Sequence, residues 1–483
     1  MEIMRYIILF SLVVFSFNSE GQISFYNKYS GGPFDQGNGV TQLPDSSYVV
    51  TGTSAGFNSE SGQAFLMLTD SLGNQQWTKD YGGYGDDIGV RVIHIPNDGF
   101  FIAGYTGSTP NGDFDFVLYK TDENGDLLWE KTYGGSDWEK LNDAALLSDG
   151  GLILVGETEG LESQGRDMYM VRTDALGDTL WTKTVQTPED DFINVVDTLS
   201  ATEFLIGGNV GTVGVSMGVL TAYNNDGTEV WSESLNQGGV STINDFSIYD
   251  DTIYLVGFLQ NSVENKTDLW VAKCDLTGDF ISQYYEEFYD LSTYFSSICV
   301  KNRDTMYMAM HTSTPEVNPY PGGLDLLVHR YKPSNLTFQA SHPLTGYNDD
   351  LAQEMILASD NGVVVVGTVS DDPLSLSLGT DVLLAKIGPN DEAPNNSIGD
   401  LDLVNLFEET TEVVQVYPNP TNGLIYLPNE LIGNQYELLN IQGKKVFSGQ
   451  LEARLNLTDL DEGIYFLSIQ DQQQIWSAKI IKR

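Results

Sequence analysis

The sequence is poor in the residues on which many metal and covalent sites depend. Its 483 residues include two cysteines, four histidines and 23 lysines and arginines, against 68 aspartates and glutamates. Cys274 and Cys299 cannot form a disulfide framework, and neither has a second cysteine or a histidine at the spacing of a zinc site. We expect both to be small buried apolar residues, and whether they pair stays open.

Other motifs of catalysis are weak. The four histidines, His94, His311, His329 and His342, form no HExxH pattern, and we predict that they are scattered over different repeats without building a metal centre. Two segments, 52–56 and 214–218, match G-x-S-x-G, the pattern around a hydrolase nucleophile. Such a serine needs a helix after it, and no helical periodicity follows, so we expect both segments to be loops without that role.

The shortage of basic residues gives a formal net charge of −45, of which −43 falls on residues 22–412. This charge repels nucleic acids and anionic membranes, which argues against both as partners. We attribute the acidity to solubility, with cation binding as the alternative.

Long apolar runs are equally scarce. After Arg5, an apolar run extends from Ile7 to Phe17 and ends in a short polar stretch up to Gly21. Its length and flanks predict a secretory signal peptide over residues 1–21, not a spanning helix. No later segment approaches eighteen apolar residues, so we expect no transmembrane segment in the mature chain.

What the sequence does contain is a repeat of about 50 residues. A strand rich in valine and isoleucine ends in small residues in seven copies, around Gly52, Gly104, Gly156, Gly208, Gly257, Met310 and Gly367. An alternating strand, an Asp/Gly turn and a further strand follow most copies. Four strands per repeat and seven repeats predict an all-β chain with a seven-bladed β-propeller over residues 22–388. An open β-solenoid is the alternative.

The ends of the repeat region indicate how the ring closes. The seventh repeat ends near Gly388 without its fourth strand. The segment from Ile23 to Gly32 resembles that strand and its K-x-Y-G-G pattern, and we predict that it completes the last blade. A ring closed in this way leaves no open sheet edge.

The turn Asp-x-x-Gly-x-x-x-Trp, as in residues 122–129 and 174–181, is similar to the repeat of quinoprotein-like propellers. The resemblance implies that Trp129 and Trp181 dock between neighbouring blades. Quinoprotein enzymes usually also carry a disulfide of adjacent cysteines, which this sequence lacks. The resemblance therefore extends to architecture, and no cofactor is predicted.

Acidic turns are the remaining candidates for chemistry. Asp122, Asn124 and Asp126 suggest a calcium loop, but Glu130 does not fall at the spacing of its last ligand, so hairpin-turn chemistry is preferred and calcium is the alternative. Paired carboxylates occur at residues 86–87, 190–191, 349–350 and 371–372. Such pairs can hydrolyse glycosides, but three of the four open the same strand of different repeats. We interpret them as a feature of the repeat and predict no catalytic residue.

The last part of the chain has a different character. Residues 389–412 contain Pro389 and Pro394 and an acidic run at 408–409, which predicts an exposed linker. Residues 413–483 then form short strands between glycines. Their motif residues are Tyr417, Pro418, Asn419, Pro420, Gly423, Gly443, Gly463, Tyr465, Lys479 and Lys482.

This segment resembles the type A C-terminal sorting domain of the type IX secretion system. The resemblance implies a small β-sandwich, recognition by the type IX machinery, and removal of the domain after export. It also implies that the mature protein is secreted or held at the outer cell surface, after signal-peptide export to the periplasm.

Two functions remain for the propeller. We favour a non-catalytic surface module for binding, adhesion or interaction, with a glycan or protein ligand. The alternative is an extracellular enzyme that acts on polysaccharide or uses a bound cofactor. The proline-rich loop from Thr312 to Gly323 is the predicted binding surface.

Overall fold

The computed structural model describes most of the chain from residue 24 onward. The described residues are 24–32, 34–55, 62–109, 113–159, 165–187, 189–212, 215–235, 240–261, 266–288, 294–312, 324–344, 349–370 and 379–391, followed by 411–413, 416, 421, 423–428, 431–440, 445–451, 454–458, 460, 463–470 and 475–483. The predicted signal peptide, the loop 313–323 and the pair 371–372 lie outside them.

Seven four-stranded antiparallel sheets form the first unit. Blades one to three are β2–β5 (Asp35–Gln42, Tyr48–Ser54, Gln63–Thr69, Gln75–Tyr81), β6–β9 (Asp87–Ile95, Gly99–Thr106, Asp115–Thr121, Leu127–Tyr133) and β10–β13 (Trp138–Leu146, Leu152–Glu159, Asp167–Thr173, Thr179–Val185). Blades four and five are β14–β17 (Phe192–Thr198, Glu203–Thr212, Val215–Asn224, Glu229–Leu235) and β18–β21 (Val240–Tyr249, Thr252–Asn261, Lys266–Asp275, Phe280–Phe288).

Blade six is β22–β25 (Tyr294–Asn302, Thr305–Thr312, Asp325–Lys332, Thr337–Pro343). Blade seven combines β26–β28 (Asp350–Leu357, Val363–Ser370, Thr380–Ile387) with β1 (Phe25–Tyr29), which pairs antiparallel with β28. The all-β class, the seven blades and closure by the N-terminal strand are thus confirmed. The first strand of each blade lines the central channel.

A β-bulge at the same place in every innermost strand explains the repeated glycine. The seven bulges lie between residues 37/39, 89/91, 141/143, 193/195, 243/245, 295/297 and 352/354. In six blades the bulge brings a backbone carbonyl against the second strand; a Cβ on Gly52 would lie 1.8 Å from the Gln36 oxygen, and one on Gly104 1.8 Å from that of Ile88. A side chain cannot fit at this distance, so glycine is required in these six blades. Blade six has Met310 at the equivalent position.

The tryptophans of the fourth strands join neighbouring blades, as the quinoprotein-like resemblance implied. The Trp129 ring covers Gly177 in the turn of the next blade, and Trp77 covers Gly125 in the same way. The Tyr133 hydroxyl donates to the Gly177 carbonyl at 2.7 Å. Aromatic burial and a hydrogen bond therefore stabilise one junction together.

The N-terminal strand makes these contacts for the last blade. The Phe25 ring lies over Gly73 of blade one, and the Tyr29 hydroxyl donates to the Gly73 carbonyl. β1 is therefore more than a fourth strand for blade seven. It also joins that blade to the first.

Blades five and six depart from the pattern, because their fourth strands have Ser282 and Ala340 at the tryptophan position. At blade six, the segment just after blade seven packs in this place. The Asp391 carboxylate accepts a hydrogen bond from the Tyr307 hydroxyl at 2.6 Å and forms an ion pair with Arg330, while the Lys301 ammonium donates to the Pro389 carbonyl at 2.8 Å. The first residues of the predicted linker thus contact the propeller.

Residues 396–483 form a second compact unit. One sheet has the order β29 (Thr411–Val413), β35 (Ile475–Lys482), β34 (Gly463–Gln470), β31 (Gln435–Asn440) and β32 (Lys445–Gln450), and a second pairs β30 (Leu424–Tyr426) with β33 (Arg454–Asn456). Leu438, Tyr465, Leu467 and Ile480 are in its apolar core. In neither unit do the described residues include a helix long and apolar enough to cross a membrane.

The tryptophan–glycine contact makes a testable prediction for stability. In Gly177→Ala the new Cβ would lie 2.5 Å from the Trp129 ring at a φ of +77°. We expect a loss of about 2–4 kcal/mol in the free energy of unfolding, because both strain and overpacking oppose the methyl group. Denaturant unfolding of the full chain measures it.

Gly135→Ala is the matched control, because a Cβ there meets no described atom within 4 Å. Equal losses in the two variants would contradict the proposed role of the contact.

Candidate functional site at the mouth of the channel

The bulges turn a ring of charged side chains into the channel. We call Arg91, Asp143, Asp245, Ser297 and Glu354 the channel ring; each follows the bulged residue of its innermost strand, and Gly39 and Val195 take this place in blades one and four. These side chains border a cavity of about 610 Å³ that is open to solvent.

The carboxylates of the ring join one blade to the next. Asp143 accepts a hydrogen bond from the Val196 amide at 2.9 Å, Asp245 from the Ile298 amide at 2.8 Å, and Glu354 from the Val40 amide at 2.8 Å. Arg91 pairs with Glu354, and its Nε lies 3.5 Å from Asp143. It thereby connects blade two to blades three and seven, past the small Gly39.

The electrostatics of the ring depend on Arg91. Burial raises the pKa of Asp245 to about 7, and also raises the pKa values of Asp143 and Glu354, while Arg91 lowers all three. In return, Glu354 and Asp143 hold the pKa of Arg91 above its ordinary value although burial opposes this. One cation thus offsets several closely spaced carboxylates.

A line of aromatic rings leads away from the channel at the same mouth. We call Tyr105, Phe114 and Trp138 the aromatic arc. Phe114 makes edge-on contacts with both others, at centroid distances of 5.4 Å to Tyr105 and 5.2 Å to Trp138. Tyr105 borders the channel cavity, and Trp138 borders a second cavity of about 350 Å³ with Asp113, Ser136, Asp137 and Glu159.

Cations flank the inner end of the arc. The Lys140 ammonium lies 5.9 Å from the centre of the Tyr105 ring, and the Arg166 guanidinium 5.3 Å from that of Phe192. Glu157 is buried between them and pairs with Arg166 at 3.1 Å. Burial raises the pKa of Glu157, which Arg166 and Lys140 oppose. The mouth thus combines ring faces, cations and carboxylates over three blades.

Two of the paired carboxylates seen in the sequence, 86–87 and 190–191, have structural roles. Asp87 is fully buried and accepts hydrogen bonds from the Gly83 amide at 2.8 Å and the Ser108 hydroxyl at 3.0 Å. Asp191 accepts one from the Gly211 amide at 2.6 Å. In these two pairs the second residue therefore holds the loops at a blade junction.

The acidic turn likewise shows hairpin chemistry. One oxygen of Asp122 accepts the amides of Asn124 and Asp126, both at 2.8 Å, and the Lys79 ammonium lies 2.5 Å from Asp126. The Lys79 ammonium thus already neutralises Asp126, one carboxylate of the turn for which calcium binding was the alternative.

Two predictions about motifs were wrong. Ser54 ends strand β3, donating to Asp35, and Ser216 lies within β16, so the G-x-S-x-G segments are not loops. His311, His329 and His342 are not scattered but all belong to blade six, because successive strands of one blade pair side by side. Burial lowers the pKa values of His311 and His329 to about 4. Over the part of the chain that is described, no three His, Cys, Asp or Glu residues form a group suited to a metal ion.

The other residues singled out in the sequence have mixed positions. Cys274 and Cys299 are both buried free thiols, in blades five and six. Of the tail motif, Gly423, Gly463, Tyr465, Lys479 and Lys482 are described, whereas residues 417–420 and Gly443 lie outside the described residues, as does the loop 313–323. The channel ring and the aromatic arc were missed. An alignment of the repeats contains a signal for the ring. The residues four positions after Asp35, Asp87, Glu139, Asp191 and Asp350 are Gly39, Arg91, Asp143, Val195 and Glu354, and Arg91 is the basic residue among them.

Arg91→Gln tests the electrostatics of the ring. We expect it to lower the free energy of unfolding by about 1–3 kcal/mol near pH 8, less than for a fully buried pair because 35% of the Arg91 side chain is exposed. The loss should shrink near pH 5.5, where the ring carboxylates with raised pKa values take up protons. Arg303→Gln, which removes an exposed pair with Asp250, is the control and should leave stability unchanged. A loss that is equal at both pH values would contradict the charge argument.

Comparison with known proteins adds to this description. No curated protein matches the chain. Residues 415–483 match the family model "Secretion system C-terminal sorting domain". Among solved structures, the chain resembles the Dos1 propeller at 10% identity and a TM-score of 0.43, covering 75% of this chain and 95% of that one.

Two further structures are similar. The propeller domain of the Trilobed protease from Pyrococcus furiosus has 10% identity and a TM-score of 0.41, over 78% of this chain and 98% of that one. Puromycin hydrolase has 11% identity and a TM-score of 0.46, over 74% of this chain and 55% of that one. Such distant likenesses carry nothing about activity. The chain is a seven-bladed β-propeller that ends in a secretion system C-terminal sorting domain, which indicates export by the type IX machinery.

Proposed function

We propose that the propeller is an exported, non-catalytic binding module and that it binds an extended glycan across the aromatic arc. The observation that carries the proposal is the continuous path from the channel cavity to the outer cavity. Tyr105 borders the first, Trp138 the second, and Phe114 contacts both rings.

The chemistry of this path suits a chain of sugars. Aromatic faces pack against the C–H faces of sugar rings, while charged and amide groups hydrogen-bond with hydroxyls. Lys140, Glu157 and Arg166 lie beside the arc, and Asp113, Asp137 and Glu159 line the outer cavity. The cations also favour a ligand that carries carboxylate or sulfate groups over a neutral one.

The position of Glu139 supports a binding role over the enzymatic alternative. Glu139, which directly follows Trp138 of the arc, is 4% exposed and accepts hydrogen bonds from the Gly135 amide and the Thr158 hydroxyl. Burial raises its pKa to about 7, which would suit a general acid, but the group faces a blade junction instead of solvent. The alternative function is hydrolysis of the bound polysaccharide, so the binding experiment must also measure the release of products.

A glycan-array screen of the full chain, with and without EDTA, tests the proposal. We expect specific binding to an acidic or extended glycan, unaffected by EDTA, with no release of products. Trp138→Ala should reduce the affinity about five- to thirtyfold, because a stacked ring supplies roughly 1–2 kcal/mol. Tyr84→Ala is the control, since Tyr84 is fully exposed and outside the arc, and it should bind like the unchanged chain.

Product release from any polysaccharide would overturn the non-catalytic assignment. Equal binding by the Trp138 and Tyr84 variants would overturn the assignment of the arc.

Deletion of residues 413–483 tests the export route. Because the sorting domain is the part recognised by the type IX machinery, we expect the truncated chain to accumulate in the periplasm. Cell fractionation and surface protease accessibility measure this, with an internal epitope tag on both chains. Surface display of the truncated chain would contradict the assignment.

A further inference from the structure

The blade junctions contain facing pairs of acids. One acid lies near the start of the third strand of a blade; Asp115, for example, lies two residues before Val117, which pairs with the repeated Gly104. The other acid lies at the start of the innermost strand of the next blade. At the junction of blades two and three these are Asp115 and Glu139, and at that of blades three and four Asp167 and Asp191.

The two sides of a junction vary together. Register places acids on both sides at four junctions: 115/139, 167/191, 325/350 and 381/35. Blade one instead has Gln63 facing Asp87, and blade four has Met217 facing Ser241. At the remaining junction Asp268 has the first of the two positions, and the second is residue 293, which lies outside the described residues. Acids thus meet acids repeatedly at equivalent positions, a placement that is costly if both are charged.

The junction of blades one and two shows how one acid can be satisfied. The Gln63 amide donates to the Asp87 carboxylate at 3.3 Å. An amide is a neutral donor, so this contact buries a single negative charge. An aspartate at the same position can donate in this way only when its carboxyl group carries a proton.

Asp115 and Glu139 face each other at Gly134, where an added Cβ would lie 2.0 Å from Oδ1 of Asp115 and 2.3 Å from Oε2 of Glu139. Their carboxyl groups are therefore close enough together for such a contact. Two carboxyl groups can share a hydrogen bond only with one proton between them. Gly135 and Thr158 donate to Glu139 on its other side, while Asp113 and Tyr169 are the titratable neighbours that face the pair. Burial is the largest influence on both groups and raises both pKa values.

Asp167 and Asp191 are both fully buried. Gln186 donates to one oxygen of Asp167 at 3.0 Å, and Thr187 donates to one oxygen of Asp191 at 2.8 Å. The second oxygen of each, Oδ1 of Asp167 and Oδ2 of Asp191, has no hydrogen-bond partner among the described residues. Arg166 precedes this pair but bonds with Glu157 and Asp190, so its charge is directed elsewhere.

We infer that the junction of Asp115 and Glu139 binds one shared proton, in the place where Gln63 supplies an amide hydrogen. Loss of that proton to solvent leaves two facing carboxylates and weakens the contact between blades. The propeller is therefore held more tightly at mildly acidic than at alkaline pH. The inference is independent of the ligand proposed above.

The direction of the pH dependence follows from the difference in proton binding between the folded and the unfolded chain. The pKa of Glu139 is about 7 in the folded chain, against 4.5 for the free side chain. A raised pKa gives stability that is complete below the free-chain value and is lost as the pH rises through the folded value. The contribution should therefore disappear between about pH 5 and pH 8.

Two reciprocal variants of the full chain test the inference. Asp115→Asn places an amide where blade one has Gln63, and should raise the melting temperature near pH 8.5 while flattening its pH dependence. Gln63→Asp creates a fifth acid pair, and should lower the melting temperature near pH 8.5 while leaving it almost unchanged near pH 5.5. Both are compared with the unchanged chain in high salt, which screens the general repulsion of the acidic surface.

Equal shifts at both pH values would overturn the shared proton. So would a calcium-induced rise in melting temperature near pH 8.5 that EDTA reverses and Asp115→Asn abolishes, since the pair would then hold a cation. Where one variant fails to fold, the other decides the matter, because the two change equivalent contacts in opposite directions. In the unchanged chain, a slope of zero in the unfolding free energy against pH between about pH 5 and pH 8 would also contradict the inference.

Discussion

The β-bulge in each innermost strand is the constraint on which most of this propeller depends. It moves a backbone carbonyl toward the second strand, which is why glycine recurs at positions such as Gly52 and Gly104. It also places two consecutive side chains toward the channel. Arg91, Asp143 and Glu354 contact each other for this reason. In a regular strand consecutive side chains face opposite sides, whereas at the bulge each of these three faces the channel together with the residue before it. Fold and channel chemistry thus have one local cause.

The sequence contained enough to predict the ring and little that pointed to the site. Trp129 and Gly177 are signalled by turn chemistry, and the N-terminal strand by its likeness to the fourth strands, so the contacts of Phe25 and Tyr29 with Gly73 were within reach. These are local patterns repeated many times. The channel ring is different. A bulge shifts the alternation of inward and outward side chains by one residue, and the alternation of apolar and polar residues in the sequence does not show where this happens.

The error about the histidines was avoidable. His311, His329 and His342 are separated by 18 and 13 residues, together less than one repeat of about 50 residues, so the repeat length places all three in one blade. By contrast, the contacts of Asp391 with Tyr307 and Arg330 could not be predicted, since they replace a missing tryptophan on another blade. Where the repeat degenerates, sequence periodicity loses its information and tertiary contacts decide.

Acidity in this protein therefore has two physical forms. Most carboxylates are solvated and cost little, and they account for the net charge. A smaller set, including Asp87, Glu139 and Asp191, is buried at blade junctions and accepts hydrogen bonds from loop amides. Each buried carboxylate joins backbone groups that no strand satisfies, and such groups are costly when left without partners. A carboxyl at these positions is thus explained by the closure of the ring. Lys140 and the three rings of the aromatic arc have no such role at a junction, and we propose that they contact the ligand instead.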